Sequence, residues 1–267
     1  MAGSEGNSLT KMEFAVQMTC QSCVLSIQAA LESAKGVESF NINLHDEQVT
    51  VETNLPSGLI QQILEQTGRK AILRGHGATQ DRSTFHIGAA VAIMSGENNI
   101  QGVIRFVQVD NKRCIIDGTI DELQPGAHGL HIHELGDISN GCESLGDHYN
   151  PNNCEHGGMF DEEKHIGDLG NIIADKKKRA QFRLESYDVK VWDVIGRSIV
   201  VSEHEDDLGR ENNPQSKIDG NSGLRLACGI IARSAGLFQN TKKFCACTGM
   251  TLWEERDLKK EHPLSQL

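Results

Sequence analysis

Histidines concentrate in one part of this 267-residue sequence, between His128 and Asp168. Six of the eleven histidines lie in that stretch, at positions 128, 131, 133, 148, 156 and 165. Imidazole and carboxylate groups are common ligands of zinc, and imidazole also binds copper. A single histidine would more often be a solvated surface residue, whereas this concentration indicates a metal site.

The spacing divides these residues into two groups. His131 and His133 form an H-x-H pair, and the alternation of side chains along a strand puts both on one face. The second group, separated by 8, 9 and 3 residues, is His148, His156, His165 and Asp168. Three nitrogens and one carboxylate are enough to complete a tetrahedral Zn²⁺ site, so we expect zinc in the second group.

A C-x-x-C motif, Cys20 and Cys23, lies near the N-terminus. Such a pair can be a structural thiol pair, a redox dithiol or a site for a soft metal. Without nearby histidines or a second C-x-x-C motif, the pair has too few ligands for structural zinc. Two thiolates suit Cu(I), and a position at the start of a helix favours the thiolate form. We therefore favour Cu(I) binding at Cys20 and Cys23.

A second cysteine motif, the C-x-C of Cys245 and Cys247, lies near the C-terminus. This spacing is too short for an ordinary disulfide without strain, and strained pairs are labile and reactive. The surrounding region from Gln239 to Leu267 is poor in apolar residues and cannot bury a core. The sequence therefore predicts a mostly irregular tail, residues 235–267, with two reactive thiols.

The sequence of residues 1–76 predicts a folded domain that would position the first cysteine pair. Strands are indicated by alternation or apolar content at 12–18, 40–44, 48–53 and 71–73. Helices are indicated by apolar stripes at 23–34 and 56–67, each followed by a glycine. The order is βαββαβ, which is typical of a ferredoxin-like α+β domain. Cys20 then lies between the first strand and the first helix.

The histidine-rich stretch belongs to a different unit, which we place at residues 84–234 after a polar linker at 77–83. Short β-prone runs with turn residues between them are typical of an all-β sandwich or barrel. These runs are 87–94, 100–109, 114–120, 180–184 and 199–201. Cys114 falls within one of them and is best interpreted as a small buried hydrophobe.

Composition excludes several classes of function. The net charge of −11 argues against nucleic-acid binding, and the basic run Lys176 to Arg179 is typical of a solvated turn. No apolar run is long enough to span a membrane, so we expect no stable membrane insertion. The N-terminal residues lack the apolar stretch of a secretory signal, which favours the cytoplasm. Eight cysteines in such a chain do not indicate a secreted disulfide framework.

The segments GLHIHELGD, GCESLGDHYNP, KHIGDLGN and GNSGLRLACGII resemble Cu,Zn superoxide dismutase. The resemblance covers residues 84–234 and implies a Greek-key β-barrel. It also implies copper ligands at His131, His133 and His148, with His148 shared with the zinc group. The fourth copper histidine is missing, because this chain has Ser202 where the enzymes have histidine. His204 is displaced by about 6 to 7 Å along a strand and cannot replace it.

The same resemblance implies further roles in the barrel. It pairs Cys142 with Cys228 in a disulfide that would contribute about 2 to 4 kcal/mol. It makes Asp206 the residue that links the two metal groups through hydrogen bonds. Arg225 matches an arginine beside the copper channel, although a role as a donor to loop carbonyls is an equal alternative. The resemblance assigns no role to Cys154. It also leaves open whether His131 and His133 bind copper in this chain.

M-x-C-x-x-C in a βαββαβ unit resembles the heavy-metal-associated domains of copper carriers. Together with the barrel and the C-x-C tail, it resembles the copper chaperones for superoxide dismutase. That resemblance implies that a copper transporter or other donor supplies Cu(I) to the first domain. The barrel would form a heterodimer with Cu,Zn superoxide dismutase through the segment Gly229 to Ile231, with homodimerisation left open. Cys245 and Cys247 would pass on copper and promote formation of the target's intrasubunit disulfide.

The family resemblance adds the nucleus and the mitochondrial intermembrane space as candidate compartments. Ser265-Gln266-Leu267 differs by its missing lysine from a peroxisomal address, which leaves that targeting open. Two other functions compete with a chaperone. A superoxide dismutase with a fused copper-loading domain conflicts with Ser202, and a copper-buffering protein would not need the partner surface of the barrel.

Overall fold

The computed structural model describes residues 8–79, 88–240, 242–243 and 250–261. The first domain has the predicted βαββαβ order, and its strands form an antiparallel sheet in the order β2-β3-β1-β4. Its elements are β1 (Thr10–Val16), α1 (Gln21–Ser33), β2 (Val37–Asn43), β3 (Gln48–Thr53), α2 (Ser57–Gln66) and β4 (Ala71–Ala78). Both helices lie on one face of the sheet because their apolar stripes must be buried.

The core of this domain follows the alternation in β1. Met12, Phe14 and Val16 are fully buried and pack against Ile27 of α1 and Ile60 of α2. Strand β4 is longer than the predicted 71–73, because it pairs with β1 along its whole length. Part of the predicted linker, residues 77 and 78, is therefore strand.

The second domain is a closed, eight-stranded antiparallel barrel with the order β10-β7-β6-β5-β12-β11-β8-β9. Its strands are β5 (Ala89–Gly96), β6 (Gln101–Gln108), β7 (Cys114–Asp121), β8 (Gly126–His133), β9 (Asp168–Ala174), β10 (Arg179–Ser186), β11 (Ser198–Ser202) and β12 (Arg225–Arg233). Short helices α3 (Val191–Val194) and α4 (Ser216–Asp219) lie in its loops. Closure leaves no free sheet edge in the barrel.

The barrel interior is filled by inward-facing apolar side chains of its strands, including Ile104, Phe106, Ile116 and Leu130. Cys114 is fully buried, and burial raises the pKa of its thiol to about 12. The interpretation of Cys114 as a small hydrophobe is therefore confirmed. The basic run that begins at Lys176 forms the turn between β9 and β10, also as predicted.

The first domain packs directly on the barrel. At the start of α2, Ser57 donates its backbone N–H to Asp117 Oδ2 at 2.8 Å and its hydroxyl to Oδ1 at 3.1 Å. The next residue, Gly58, approaches so closely that a Cβ there would stand 2.3 Å from Thr119 Oγ1. Only a glycine allows α2 to sit this near to β7.

Charged groups are buried in this interface. Asp117 is fully buried and has an ion-pair partner, Arg183, whose Nη1 lies 3.7 Å away. Arg183 also donates to Thr10 Oγ1 at 2.9 Å, and the same hydroxyl lies 2.8 Å from His76 Nε2. Burial and the charges of Arg183 and Arg105 hold the pKa of His76 well below its usual value, so this histidine is neutral.

The tail contains a helix, α5 (Leu252–Glu261), that the sequence pattern did not predict. The helix is polar and has no apolar stripe. Ion pairs, and not apolar packing, hold it to the first domain. Arg256 contacts Glu65, and Asp257 contacts Lys70. Cys245 and Cys247 lie outside the described residues. No helix in the described part of the chain is long and apolar enough to cross a lipid bilayer.

Candidate metal centres

One oxygen of Asp168 is the meeting point of three imidazoles in the barrel. Asp168 Oδ1 lies 2.9 Å from His148 Nδ1, 3.0 Å from His156 Nδ1 and 3.2 Å from His165 Nδ1. All four residues are buried. The structure therefore brings together all four residues of this group, which are 8, 9 and 3 residues apart in the sequence.

Backbone contacts hold the Asp168 carboxylate in place. Asp168 is the first residue of β9, and its Oδ2 accepts the N–H of His165 at 2.8 Å and of Gly157 at 3.2 Å. His148 is held against β8 by a bridge to His133. The loop between β8 and β9 is thus folded back on the barrel wall, which explains why irregular sequence yields an ordered cluster.

The orientation of the imidazoles fits a bound metal better than a hydrogen-bonded cluster. His156 Nδ1 is buried and has no hydrogen-bond partner among the residues that the structure describes, although it lies close to Asp168. A buried polar atom without a partner costs about 1 to 3 kcal/mol, and a metal–nitrogen bond would remove that cost. Three nitrogens and one carboxylate oxygen are the donor set of a closed Zn²⁺ site.

Electrostatics in the cluster favour a charged carboxylate. Burial alone would raise the pKa of Asp168, but the close imidazoles of His148, His156 and His165 hold it well below its usual value. Burial opposes protonation of His156, yet the carboxylates of Asp168 and Asp206 outweigh it and raise its pKa to about 9. Burial also lowers the pKa of His148 well below the usual range. The cluster therefore combines an ionised carboxylate, a neutral His148 and a His156 that a metal must deprotonate.

The H-x-H pair lies beside this cluster. The ring of His131 stacks on that of His148 at 4.0 Å between centroids, and His131 Nδ1 has no hydrogen-bond partner in the described part of the chain. Ligand atoms of His131, His148, His156 and Asp168 all lie within 4.8 Å of one another. His133 Nδ1 lies 2.9 Å from the Gly146 carbonyl, and burial lowers the pKa of His133 to about 3. Both histidines of the pair thus stand where a second metal would be expected.

Asp206 joins the two groups of histidines, as the sequence resemblance implied. Its Oδ2 lies 3.0 Å from His131 Nε2, and its Oδ1 lies 2.7 Å from His156 Nε2. Asp206 is 1% exposed, and the left-handed Gly220 leaves room for its carboxylate. The orientation of one group is therefore coupled to that of the other.

The position of the expected fourth copper ligand carries a hydroxyl. Ser202 is buried at the end of β11, whereas the side chain of His204 is 64% exposed beside Glu203. His128, the remaining histidine of the stretch, lies 2.9 Å from the Ser202 carbonyl and 2.8 Å from the Gln124 carbonyl. Both ring nitrogens of His128 thus contact backbone carbonyls. This structural role could not be predicted from the sequence spacing.

Cys142 and Cys228 are joined by a disulfide with a Cα–Cα distance of 5.8 Å. The bond ties the loop after β8 to strand β12. Arg225 reinforces the same loop by donating to the carbonyls of Cys142 and Gly146, each at 2.8 Å. This geometry corresponds to the backbone-donor alternative for Arg225.

The cysteine pair of the first domain lies at the start of α1. Cys20 is the N-cap residue and is exposed, Cys23 is buried, and their sulfurs are 3.5 Å apart. Cys23 Sγ lies 3.8 Å from Thr19 Oγ1, and Cys20 Sγ lies 3.0 Å from Ser22 Oγ. Two sulfurs at this separation, one of them open to solvent, can bind a soft ion between them.

Hydrogen bonds favour the thiolate form of this pair. The backbone of Thr19 makes the largest contribution at Cys23, and the pKa of that thiol is lowered to about 6. The side chain of Ser22 makes the largest contribution at Cys20, whose pKa is also lowered. Cys23 is therefore mainly thiolate at neutral pH, which is the form that ligates metal.

An apolar surface lies on the outside of β5 and β12. Ile93 is 59% exposed, Ile230 is 37% exposed, and Ile195 in the adjacent loop is 36% exposed. Gly229 brings the two strands together, because a Cβ there would stand 2.4 Å from the Ile93 carbonyl oxygen. Of the segment Gly229 to Ile231 that the sequence singled out, Ile230 lies on this surface, whereas Gly229 is buried and Ile231 belongs to the barrel core.

Comparison with known proteins divides the chain in the same way. Residues 100–231 match the family Copper/zinc superoxide dismutase, and residues 13–70 match the Heavy-metal-associated domain. The human copper chaperone for superoxide dismutase is 55% identical over 96% of this chain and 93% of its own length. The rat protein of that name is 54% identical over 94% of this chain and 91% of its own length. An Arabidopsis thaliana chaperone, described as chloroplastic/cytosolic, is 38% identical over 91% of this chain and 69% of its own.

Proposed function

The chain belongs to the copper chaperones for superoxide dismutase, and from this premise we propose how its three parts divide the work. The first domain holds Cu(I), the barrel docks on the target enzyme, and the tail completes delivery. The observation that carries the proposal is the thiolate-prone pair of an exposed Cys20 and a buried Cys23, in a chain whose dismutase-like barrel has Ser202 in place of a copper ligand.

Copper is the cargo of the first domain. The exposed Cys20 meets a copper transporter or another donor first, and the buried Cys23 completes two-coordinate binding. The exchange replaces one copper–sulfur bond by another, so the metal remains Cu(I) throughout. A pair that must remain reduced fits the cytoplasm, and the nucleus and mitochondrial intermembrane space stay part of the proposal.

Zinc is the resident metal of the barrel, held by His148, His156, His165 and Asp168. When bound, zinc supplies a cross-link that stabilises the loop between β8 and β9. His131 and His133 lack a fourth nitrogen partner at Ser202, so copper there would be a residual property and not the basis of catalysis. The chain is accordingly a chaperone and not a dismutase enzyme.

The barrel recognises Cu,Zn superoxide dismutase through the apolar surface of Ile93, Ile195 and Ile230. An enzyme built on the same barrel offers a related surface, so one chaperone barrel can replace one enzyme subunit in a two-fold dimer. The same surface would allow a homodimer when the target is absent. Its exposure to solvent supports either association, because buried apolar area stabilises interfaces.

The thiols of Cys245 and Cys247 pass copper on and also carry the oxidation chemistry. Once an external two-electron oxidant such as dioxygen has joined these two thiols in a disulfide, thiol exchange with the target transfers that bond. The tail is reduced to two thiols as the two target thiols are oxidised, and their protons pass to the departing thiolates. One oxidised tail therefore oxidises one target cysteine pair.

The test uses apo superoxide dismutase mixed with the zinc- and Cu(I)-loaded full chain. We expect a heterodimer, the appearance of dismutase activity and the disulfide in the target. Cys245→Ser with Cys247→Ser should retain Cu(I) on the first domain and the heterodimer but abolish activation. Activation unchanged by the double substitution would remove the tail from the mechanism, and dismutase turnover by the chain alone would restore the enzyme alternative.

A further inference from the structure

The barrel completes a helix of the first domain. Helix α2 begins after Pro56 and has no side-chain cap of its own. Asp117 of the barrel accepts the free N–H of Ser57 and its hydroxyl, at 2.8 and 3.1 Å. A carboxylate at this position also meets the positive end of the helix dipole. The contact therefore satisfies a helix terminus that the first domain leaves open.

The charges in this contact are buried only because the first domain covers them. On β7, Ile116 and Ile120 belong to the barrel core, so the alternating Asp117 points outwards. Asp117 is nevertheless 0% exposed, and Arg183 on the neighbouring strand is 8% exposed. Burying such groups costs free energy unless they are paired, which makes the contact specific for one arrangement. This face of the barrel is built to receive α2.

The contact with Asp117 lies on a different part of the barrel wall from Ile230. In the closed barrel, β6 and β5 separate β7 from β12, and the strand opposite β7 is β11, the neighbour of β12. A partner that covers Ile230 on β12 would therefore stand on nearly the opposite side of the barrel from Ser57.

The tail spans this distance. It leaves the barrel after Arg233 at the end of β12 and reaches the first domain, where the N–H of Phe238 donates to Glu13 Oε2 at 2.6 Å. Helix α5 then contacts Lys70, whose carbonyl accepts the N–H of Gln17 at 2.9 Å, three residues before Cys20. The described part of the tail thus connects the apolar surface with the cysteine end of the first domain.

We propose that Asp117 and Arg183 hold the first domain stationary on the barrel during delivery, so that copper leaves Cys20 and Cys23 by exchange onto the tail and not with a rotating domain. The inference rests on the proposed function. In the exchange, each copper–sulfur bond that breaks on the first domain is replaced by one on the tail. Copper remains Cu(I), and the proton of each incoming thiol passes to the thiolate that it replaces.

Asp117→Arg in the zinc-loaded full chain tests this role. Nitrogen-15 relaxation should give one rotational correlation time for both domains of the unaltered chain, and a shorter one for the first domain of the variant. Activation of apo superoxide dismutase at limiting chaperone should fall roughly three- to tenfold, because a freed domain lowers the effective concentration of copper at the tail. Cu(I) affinity at Cys20 and Cys23 should not change.

Gly58→Gln provides a second variant that leaves the barrel sequence intact and separates the domains sterically. Asp121→Arg is the matched control, because it makes the same charge change on the same strand beyond the contact with Ser57. The inference is overturned if the unaltered chain shows two correlation times, or if a separated variant activates as fast as the unaltered chain or faster. If the unaltered chain fails to activate the enzyme at all, the proposed function fails instead.

Discussion

The histidine cluster of the barrel and the cysteine pair of the first domain are built in opposite ways. Asp168 and its three histidines are buried, and backbone N–H groups fix the carboxylate from behind. Cys20 is exposed at a helix start, and its sulfur contacts Ser22 and Cys23. A metal enclosed by the first site can leave only if the loop opens, whereas the second site gives up its metal to another thiolate. The difference separates a structural metal from a cargo.

The strongest test of this comparison removes the cargo site. In a chain that already carries Cys245→Ser and Cys247→Ser, we expect Cys20→Ser with Cys23→Ser to abolish copper binding completely. Zinc content should stay the same, because the two sites share no residue. Metal analysis of the purified chain measures both. Copper retained in this variant would mean that His131 and His133 form a working site despite Ser202.

Asp168→Ala should affect the opposite property. It removes the one oxygen that three imidazoles approach, so we expect a loss of about 3 to 5 kcal/mol in the free energy of unfolding. Denaturant unfolding of the zinc-loaded chain measures this loss, with Glu162→Ala as an exposed control in the same loop. Cu(I) affinity at Cys20 should be unaltered. A parallel loss of Cu(I) binding would show that the two sites are not independent.

His165→Ala should give a smaller effect of the same kind. His165 makes the longest of the three contacts with Asp168, at 3.2 Å, so we expect a loss of about 1 to 3 kcal/mol. The melting temperature and the affinity for the target enzyme should both decrease, because this loop braces the barrel. An unaltered melting curve would exclude His165 from the zinc site.

The number of protons released on metal binding should also differ between the two sites, and this is the smallest of the expected effects. The pKa of His156 is raised to about 9, so at pH 7.5 zinc must displace a proton, and this release should vanish above pH 9. The pKa of Cys23 is lowered to about 6, so at pH 7.5 Cu(I) meets a thiolate, and Cys23 releases a proton only below pH 6. Calorimetry in buffers of different ionisation enthalpy measures both. No proton release on zinc binding at pH 7.5, or the release of two protons per Cu(I) at that pH, would contradict the comparison, because Cys20 accounts for at most one of them.

Local pattern predicted much of this molecule. Alternation in residues 12–18 and the stripe after Cys23 indicated the first domain, and histidine spacing indicated the group around Asp168. The predicted disulfide of Cys142 and Cys228 is present in the structure. These features depend on residues that are close in sequence or on motifs with a specific resemblance.

The features that local pattern missed depend on distant parts of the chain. Asp117 alternates with the core residues of β7, so the pattern predicts that its side chain faces solvent. The sequence of β7 does not indicate that another domain covers this residue. Helix α5 has no apolar stripe, since its partners are Glu65 and Lys70 of the first domain. The extension of β4 to Ala78 follows from pairing with β1. Cys245 and Cys247 lie outside the described residues, so their geometry remains a sequence prediction.

The cap that Asp117 supplies to α2 also bears on the order of synthesis. Ser57 precedes Asp117 by 60 residues, so a ribosome releases α2 well before the strand that caps it. N-terminal domains generally fold first, and a missing cap costs a helix about 1 kcal/mol. The newly synthesised first domain is thus less stable before the barrel has folded than it is in the complete protein. The copper-carrying part of the chain gains its full stability only when the part that selects the recipient has folded.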